Sequence, residues 1–180
     1  MTKKTQAVNA RAQSKAQSAD VVLRKAHTQY EAGRLRSAFR LMLSAAKLGD
    51  PYGMHGLGYF YDTGVGVKPN RDLAMYWYKR ARRRGVPGAA NNIGTIYRDE
   101  GRPRDALRWF QRAYAAGDIG ANLEIARLYL GILATPEAAF PHLERILAAK
   151  PGIDVTRHTR EQAALLFKEL KRSTIGGSHR

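Results

Sequence analysis

A few short strings in this chain have the spacing of enzyme motifs. The string Ser44–Lys47 matches the Ser-x-x-Lys pattern, in which a lysine activates a serine nucleophile, but the companion motifs of such enzymes are missing from the sequence. Gly64-x-Gly66 resembles a piece of a phosphate-binding loop, but no Gly-Lys-Ser/Thr string follows it. The five histidines lack His-x-x-x-His spacing, and there is no cysteine. We therefore expect a protein without catalytic residues, bound metal or cofactor.

Charge is the second chemical signal. The 180 residues include 31 Lys or Arg against 15 Asp or Glu, a formal net charge of +16. An excess of this size favours acidic partners, whether an anionic protein surface, nucleic acid or anionic lipid, and it carries no information about the fold. Hydrophobic residues make up 44% of the chain, so a packed core is expected along most of its length.

The N-terminal segment is basic and has little apolar character. It holds Lys3, Lys4, Arg11 and Lys15, and no acid precedes Asp20. It lacks the apolar core of a secretory signal, and no part of the chain is long and apolar enough to span a membrane. An organellar transit peptide has a similar composition. Because no large apolar residue would give a helix an apolar face, we favour an unstructured basic arm over residues 1–18 and a cytoplasmic location.

A repeated segment organises the rest of the chain. Gly58–Tyr61 is matched by Gly94–Tyr97 and again by Ala126–Tyr129, at steps of 36 and then 32 residues. A second pattern, an alanine-containing string that ends in glycine, keeps the same spacing. A period of this size predicts a solenoid, in which each repeat is one supersecondary unit that buries its apolar face only against its neighbours.

Each repeat has the pattern of two helices. In the second repeat, Asp50 and Pro51 are typical of a helix start, and Gly64 is placed to end that helix with a positive φ. Asn70 can cap the second helix, which Gly85 follows. The apolar stripes of the second helices predict which side chains are buried. These are Ala38, Leu41, Met42 and Ala45 in the first repeat, Leu73, Ala74, Trp77, Tyr78 and Ala81 in the second, and Ala106, Trp109, Phe110 and Ala113 in the third.

The last part of the chain departs from this regularity. Pro141 falls inside the predicted helix over residues 136–149, where a proline removes a hydrogen bond and clashes with the preceding turn. We therefore expect a kink, or a helix that restarts near Phe140. A further helix, with Thr159 and Gln162 at capping-box spacing, is expected to cover the exposed face of the last repeat. Its apolar stripe consists of Ala163, Leu166, Phe167 and Leu170.

The predicted fold is an all-α, right-handed α-solenoid of about four helix-turn-helix repeats with a C-terminal capping helix. The solenoid is expected to occupy residues 19–172, with a flexible tail over residues 173–180. The predicted boundaries are 19–49, 50–85, 86–117 and 118–149 for the repeats and about 158–172 for the capping helix.

One repeat matches a known pattern closely. The strings Leu57–Tyr61, Gly64–Val67 and Asp72–Ala81, followed by Gly85, fit the order Leu-Gly-x-x-Tyr, Gly-x-Gly-Val, Ala-x-x-Trp-Tyr-x-x-Ala and Gly. This pattern resembles the Sel-one-like repeat, a relative of the tetratricopeptide repeat. The third repeat lacks the Gly-x-Gly-Val loop, and the first and fourth match weakly. The resemblance, over roughly residues 20–149, implies an α-solenoid that acts as a protein-binding scaffold or adaptor, usually without catalytic activity.

The resemblance also implies that the first helix of each pair lines a concave surface. Aligning these helices puts polar and aromatic side chains at equivalent positions, where they would form a groove for a peptide. Asn91, Arg98 and Arg127 have the chemistry to bind backbone carbonyls or a carboxylate. An ordinary solvated face is the alternative. The candidate partner-binding residues are Arg24, Thr28, His55, Tyr59, Asn91, Thr95, Arg98 and Arg127.

The second helices carry many bases away from their apolar stripes. Few acids are interleaved with them, so stacked repeats would gather them into a basic ridge on the convex side. The ridge consists of Arg36, Arg40, Lys79, Arg80, Arg83, Arg84, Arg104, Arg108 and Arg112. The leading interpretation is a non-catalytic scaffold or adaptor for an acidic protein or peptide. The alternative is electrostatic binding of nucleic acid or another polyanion through the ridge and the basic arm, although such a face also serves solubility alone.

Overall fold

The chain is built from helices joined by short loops. The computed structural model describes residues 3–152 and 155–176, and every regular element in that part of the chain is a helix. The residues fall into two compact units, an N-terminal unit of residues 1–89 and a C-terminal unit of residues 90–180. The helices are α1 (Lys3–Glu31), α2 (Leu35–Leu48), α3 (Pro51–Thr63), α4 (Arg71–Arg83), α5 (Pro87–Asp99), α6 (Pro103–Ala115), α7 (Ala121–Leu130), α8 (Phe140–Ala148) and α9 (Arg157–Gly176), with a 3₁₀ turn (Pro136–Ala139) before α8. The predicted all-α fold is confirmed.

Helices α3 and α4 of the N-terminal unit begin at the predicted capping residues, and α3 ends at the predicted glycine. The Asp50 carboxylate accepts a hydrogen bond from the Gly53 N–H at 2.6 Å, which caps α3, and Gly64 ends that helix with φ +79°. The Asn70 side chain accepts from the Leu73 N–H at 2.9 Å and caps α4. In this unit α1 packs on α2, α2 on α3 and α3 on α4. Local capping chemistry therefore fixes the helix bounds that place the candidate site.

Buried aromatic rings explain two of the repeated glycines. A Cβ at Gly58 would lie 2.6 Å from Cδ1 of Tyr78, and a Cβ at Gly94 would lie 2.6 Å from Cδ1 of Phe110. In the pairs α3–α4 and α5–α6, the ring on the second helix therefore rests directly on the backbone of the first. Gly53 behaves differently, since its Cβ would lie 3.0 Å from the Ala46 backbone nitrogen, so the two helix backbones themselves approach there.

The buried stripes are narrower than predicted. Ala74, Tyr78 and Ala81 are fully buried, whereas Leu73 is exposed and Trp77 is half-buried at the edge of the core. Residues spaced four and then three apart lie on one helix face, and a residue one position earlier is rotated away from it by about 100°. The prediction of a buried position is therefore wrong for Leu73 and only partly right for Trp77, because the rotation separates each from the buried row.

The N-terminus differs from the predicted arm. Residues 1–18 were expected to be unstructured, but α1 begins at Lys3 and continues without a break to Glu31. This segment contains neither proline nor glycine and is rich in Ala, Gln, Lys and Arg, which are strong helix formers. An apolar face is therefore not required for helix formation here. The part of the expectation that concerns residues 1–2 lies outside the described residues.

The C-terminal helices follow the predicted break and cap. A 3₁₀ turn ends at Ala139 and α8 begins at Phe140, which confirms the predicted restart. The stripe of α9 packs against the apolar residues of α7 and α8, as expected for a capping helix. Its cap, however, is Thr156 rather than Thr159, because Oγ1 of Thr156 accepts a hydrogen bond from the Thr159 N–H at 3.1 Å. The helix is also longer than predicted and runs to Gly176.

The remainder of the predicted tail, residues 177–180, lies outside the described residues. Among the helices that the structure describes, none has both the length and the apolar character needed to cross a bilayer.

Candidate partner-binding site

A pocket in the N-terminal unit contains two of the predicted binding residues. It encloses about 380 Å³ and is lined by side chains of α1, α2 and α3. His55 and Tyr59 are one helical turn apart on α3 and both face it. We call this cavity the Tyr59 pocket. Its other lining residues are His27, Tyr30, Glu31, Met42, Gly56 and Phe60.

The Tyr59 pocket has a buried apolar floor and an aromatic rim. Met42 and Phe60 are each 3% exposed, whereas Tyr30 and Tyr59 are each 40% exposed. The Tyr30 and Phe60 rings stack with centroids 5.7 Å apart, and the Tyr59 and Phe60 centroids are 6.2 Å apart. A Cβ at Gly56 would lie 2.8 Å from the sulfur of Met42, so the glycine makes room for this floor. The rim offers flat aromatic surface to a partner.

The electrostatics of the Tyr59 pocket differ from those of the chain as a whole. None of its lining residues is Lys or Arg, and Glu31 contributes a carboxylate. The neighbouring Tyr59 hydroxyl raises the pKa of the Tyr30 hydroxyl, which favours the neutral form of Tyr30. Burial lowers the pKa of His55, which favours a neutral imidazole. In a chain with net charge +16, this pocket is a local site without fixed positive charge.

The lowered pKa of His55 predicts acid sensitivity. Its folded-state pKa lies below the ordinary value of about 6.5, so the unfolded chain binds the proton more tightly, and stability is expected to fall as the pH drops below that value. Thermal melts of the wild type and of His55→Gln across this range should show a shallower pH dependence in the variant. The matched control is His27→Gln, which removes an exposed histidine of the same pocket. Equal slopes in all three proteins would contradict the role of His55.

Two predicted residues of α1 lie outside this pocket. Arg24 pairs with Asp20 at 2.8 Å, and the Thr28 hydroxyl donates to the Arg24 carbonyl at 3.2 Å. The α1 residues that do line the pocket are His27, Tyr30 and Glu31. These residues are separated by three positions and then by one, so they lie on a single face of α1.

A second pocket, in the C-terminal unit, contains two further predicted residues. It encloses about 390 Å³, and Asn91 and Arg127 line it. We call it the Arg127 pocket. Its other lining residues are Asp118, Gly120, Leu123, Glu124, Thr159 and Gln162. Thr159 and Gln162 belong to α9, so the capping helix forms one wall, which sequence analysis did not anticipate.

The cations of the Arg127 pocket have internal partners. Nη1 of Arg127 donates to Glu124 at 2.7 Å, and Nη2 donates to the side-chain oxygen of Gln162 at 2.6 Å. Arg98 lies outside the pocket lining but forms an ion pair with the other oxygen of Glu124. The Glu124 side chain is only 15% exposed. A ligand carboxylate would have to compete with Glu124 for both guanidinium groups. The Thr95 hydroxyl is likewise engaged, since it donates to the Asn91 carbonyl at 3.3 Å.

The predicted ridge residues lie on α2, on α4 and its C-terminal cap, and on α6. Several have partners within their own helix. Arg80 donates to the Tyr76 hydroxyl at 2.7 Å and stacks over the Trp77 ring at 5.4 Å. Arg108 pairs with Asp105, and Arg112 stacks over Trp109 at 4.7 Å. Arg80, Arg83 and Arg84 line a shallow pocket of about 260 Å³ with Tyr76. The exposed members are Arg36, Arg40, Arg83, Arg84, Arg104, Arg108 and Arg112.

Within residues 3–152 and 155–176, no group of three His, Asp or Glu side chains converges in an arrangement that could hold a metal ion.

A known repeat family and two known proteins match parts of this chain. The Sel1 repeat family model matches residues 35–50, 51–86 and 88–118. The chain is 26% identical over 113 residues to "Putative sel1-like repeat-containing protein L21" of Acanthamoeba polyphaga mimivirus, and 32% identical over 119 residues to "Chitin synthase regulatory factor 3" of Schizosaccharomyces pombe. These matches cover 63% and 59% of this chain but 21% and 13% of the relatives. The chain thus spans less than a quarter of either relative.

Solved structures share the fold. A Sel1 repeat protein from Oxalobacter formigenes has a TM-score of 0.61 at 21% identity, over 86% of this chain and 73% of that one. MamA has a TM-score of 0.55 at 16% identity, over 86% of this chain and 97% of that one. At these identities the likeness establishes the fold alone, and it confirms the predicted α-solenoid class.

Proposed function

Since residues 35–118 are Sel1 repeats and the chain is therefore a Sel1-like repeat protein, we propose that it is a non-catalytic adaptor that binds a protein or peptide partner. Sel1-repeat proteins are generally scaffolds or adaptors for protein interactions. The observation that supports a binding role for this chain is the Tyr59 pocket, which combines exposed aromatic rings with a buried floor. The net charge of +16 favours a partner that is acidic overall.

The shape of the Tyr59 pocket suits an anchoring side chain. Protein interfaces draw most of their affinity from a few buried anchors, often in a pocket walled by aromatic residues. Tyr30 and Tyr59 stand at the rim with 40% of their surface exposed, and this surface would be buried on binding. The contacts of both rings with Phe60, at centroid distances of 5.7 and 6.2 Å, hold the rim in place before a partner arrives. Such preorganisation lowers the entropy cost of binding.

The Arg127 pocket is the weaker of the two candidates for this role. Glu124 already occupies Arg98 and Arg127, and Gln162 takes a second hydrogen bond from Arg127. This network joins α5, α7 and α9 of the C-terminal unit and so contributes to their packing. The sequence-based hypothesis that Asn91 and Arg127 bind a carboxylate remains a proposal, and the Tyr59 pocket is the first to test.

Capture from a lysate of the source cells tests the adaptor role. The wild-type chain, Tyr59→Ala and Tyr52→Ala would each be immobilised, and retained proteins quantified by mass spectrometry. Tyr52 is the matched control because it lies on the same helix, is 62% exposed and does not line the pocket. We expect a protein that the wild type and Tyr52→Ala retain equally and that Tyr59→Ala loses by about 30-fold, the effect of removing an interface hot spot.

Two outcomes would contradict this proposal. The first is equal retention of every protein by wild type and Tyr59→Ala. The second is an equal loss of the same proteins in Tyr59→Ala and in the control Tyr52→Ala. Circular dichroism of the variants would show that both keep their helices, as expected for side chains at the surface.

A second candidate function, binding of a polyanion, is favoured by one observation. Arg80, Arg83 and Arg84 converge on one shallow pocket, and no ion pair in the described part of the chain involves them. The same capture, repeated after nuclease treatment and at raised salt, separates the two functions. Material lost in both treatments would support nucleic-acid binding, since phosphate contacts weaken steeply with salt. A protein retained in both would support the adaptor role.

A further inference from the structure

The side chains around the Tyr59 pocket define the chemistry of the group that would fill it. We propose that the pocket accepts a cationic side chain of the partner, the guanidinium of an arginine or the ammonium of a lysine. This inference rests on the proposed adaptor function and names what its site recognises.

The first argument is charge. Bases outnumber acids 31 to 15 in the chain, yet the pocket is lined by one acid, Glu31, and by no Lys or Arg. Arg34, the base nearest to Glu31 in the sequence, donates from Nε to the Gln29 side chain at 2.7 Å and does not line the pocket. An apolar anchor would remove water from the Glu31 carboxylate without replacing it, whereas a cation would pair with it.

The second argument is the position of Glu31. It is the last residue of α1, a helix of 29 residues, and a helix carries partial negative charge at its C-terminal end. A carboxylate there is in an unfavourable place, and no base in the described part of the chain pairs with it. The helix end and the carboxylate therefore both favour a positive charge at this rim.

The third argument is the aromatic surface. Cations bind over the faces of aromatic rings, and arginine does so most often. This chain uses that contact elsewhere, since Arg102 lies 4.4 Å from the Tyr97 ring centroid and Arg112 lies 4.7 Å from that of Trp109. Tyr30 and Tyr59 are exposed, and no cation of the described residues covers either ring. A partner's cation would make with the Tyr30 or Tyr59 ring the same kind of contact that Arg102 and Arg112 make within the chain.

A titration with small probes tests this assignment on the full-length chain. Methionine-methyl NMR gives a local reporter, because Met42 forms the pocket floor, while Met54 is buried in the core and Met75 lies on α4. The probes are N-acetyl-arginine amide, N-acetyl-lysine amide and two neutral analogues of similar length, N-acetyl-citrulline amide and N-acetyl-norleucine amide. We expect the two cationic probes to shift the Met42 resonance with an affinity about tenfold higher than the neutral ones.

A carboxylate variant supplies the second arm of the test. Glu31→Gln should weaken the arginine probe by about fivefold to tenfold, because the charge-assisted hydrogen bond is lost. The matched control is Glu137→Gln, an exposed acid of the C-terminal unit, which should leave the affinity unchanged. An unchanged Met54 resonance in each variant shows that the core is intact.

The outcomes separate this inference from the adaptor function. Equal affinity for arginine and citrulline, a preference for norleucine, or an arginine effect that Glu31→Gln does not reduce would overturn the cationic assignment. So would a failure of both cationic probes to shift Met42. None of these results would affect the adaptor role, which the loss of a captured protein in Tyr59→Ala decides independently.

Discussion

Gly66→Ala is expected to lower the free energy of unfolding by about 3 kcal/mol or more. Gly66 has φ +69°, a left-handed conformation that costs an alanine about 1–2 kcal/mol. A Cβ there would also lie 2.2 Å from the carbonyl oxygen of Leu35 and 3.0 Å from the backbone nitrogen of Arg36. Since the obstacle is backbone at the start of α2, the α3–α4 loop itself would have to move, which adds a strain of about 1–3 kcal/mol.

Gly33→Ala is the matched control for Gly66→Ala. Gly33 lies in the same unit with φ +70°, and a Cβ there would meet nothing within 4 Å. This variant should therefore show the conformational cost alone, about 1–2 kcal/mol. Urea denaturation followed by circular dichroism measures both. Equal losses in the two variants would mean that the loop can leave Leu35 without cost, and the close approach would then have no role in stability.

Local signals in the sequence predict the helix bounds well. Asp50, Asn70, Gly64 and the break at Phe140 act within a few residues of where they stand, so a single sequence contains everything that determines them. The repeat adds information of longer range. It shows that Gly58 and Gly94 are equivalent before any packing is known. The fold could therefore be predicted from capping chemistry and periodicity together.

Features that depend on packing direction were predicted less well. The stripe of α4 contains two adjacent aromatics, Trp77 and Tyr78, and residue type alone does not say which of them is buried. The structure buries Tyr78 because Gly58, on the facing helix, leaves room for its ring. Burial here is decided by a gap on a neighbouring helix, which is a property of the pair and is not visible in the stripe itself.

The candidate site was predicted in part. Helix-by-helix alignment identified His55 and Tyr59 on α3 and placed Glu31 of α1 in an equivalent row, but it missed His27 and Tyr30 of α1. It also identified Arg98 and Arg127 by charge. Their pairing with Glu124 could not be predicted, since ion pairs between helices depend on side-chain directions as well as on sequence spacing.

The balance of charge in the two pockets follows from these pairings. In the Arg127 pocket an acid of α7, Glu124, pairs with Arg127 and with the neighbouring Arg98, so these bases already have partners. In the Tyr59 pocket the acid has no base beside it among the described residues, and the aromatic rim is uncovered. A carboxylate without a base beside it gains more from a cationic ligand than one that is already paired. This difference is the reason for placing the partner's anchor at Tyr59.

Phe110→Ala is expected to be the most destabilising substitution in the C-terminal unit, at about 3–5 kcal/mol. The ring is fully buried, packs with Ala106, Ile125 and Leu128, and covers the backbone at Gly94. Its removal would leave a cavity that the surrounding helices can fill only in part. Tyr114→Ala on the same helix removes a ring that is 38% exposed and should cost much less. Similar losses in both variants, measured by urea denaturation, would contradict the central position of Phe110.

A second substitution at Gly94 tests the contact itself. In the wild type Gly94→Ala should destabilise by about 1–3 kcal/mol, because the new Cβ would lie 2.6 Å from the Phe110 ring. In the Phe110→Ala background the ring is absent, so the added methyl enters the cavity and the helix gains up to about 1 kcal/mol from replacing glycine by alanine. The effect of Gly94→Ala should thus change sign between the two backgrounds and stay destabilising with Tyr114→Ala. Additive losses in the double variant would show that ring and glycine are not in direct contact, since only neighbouring residues couple in this way.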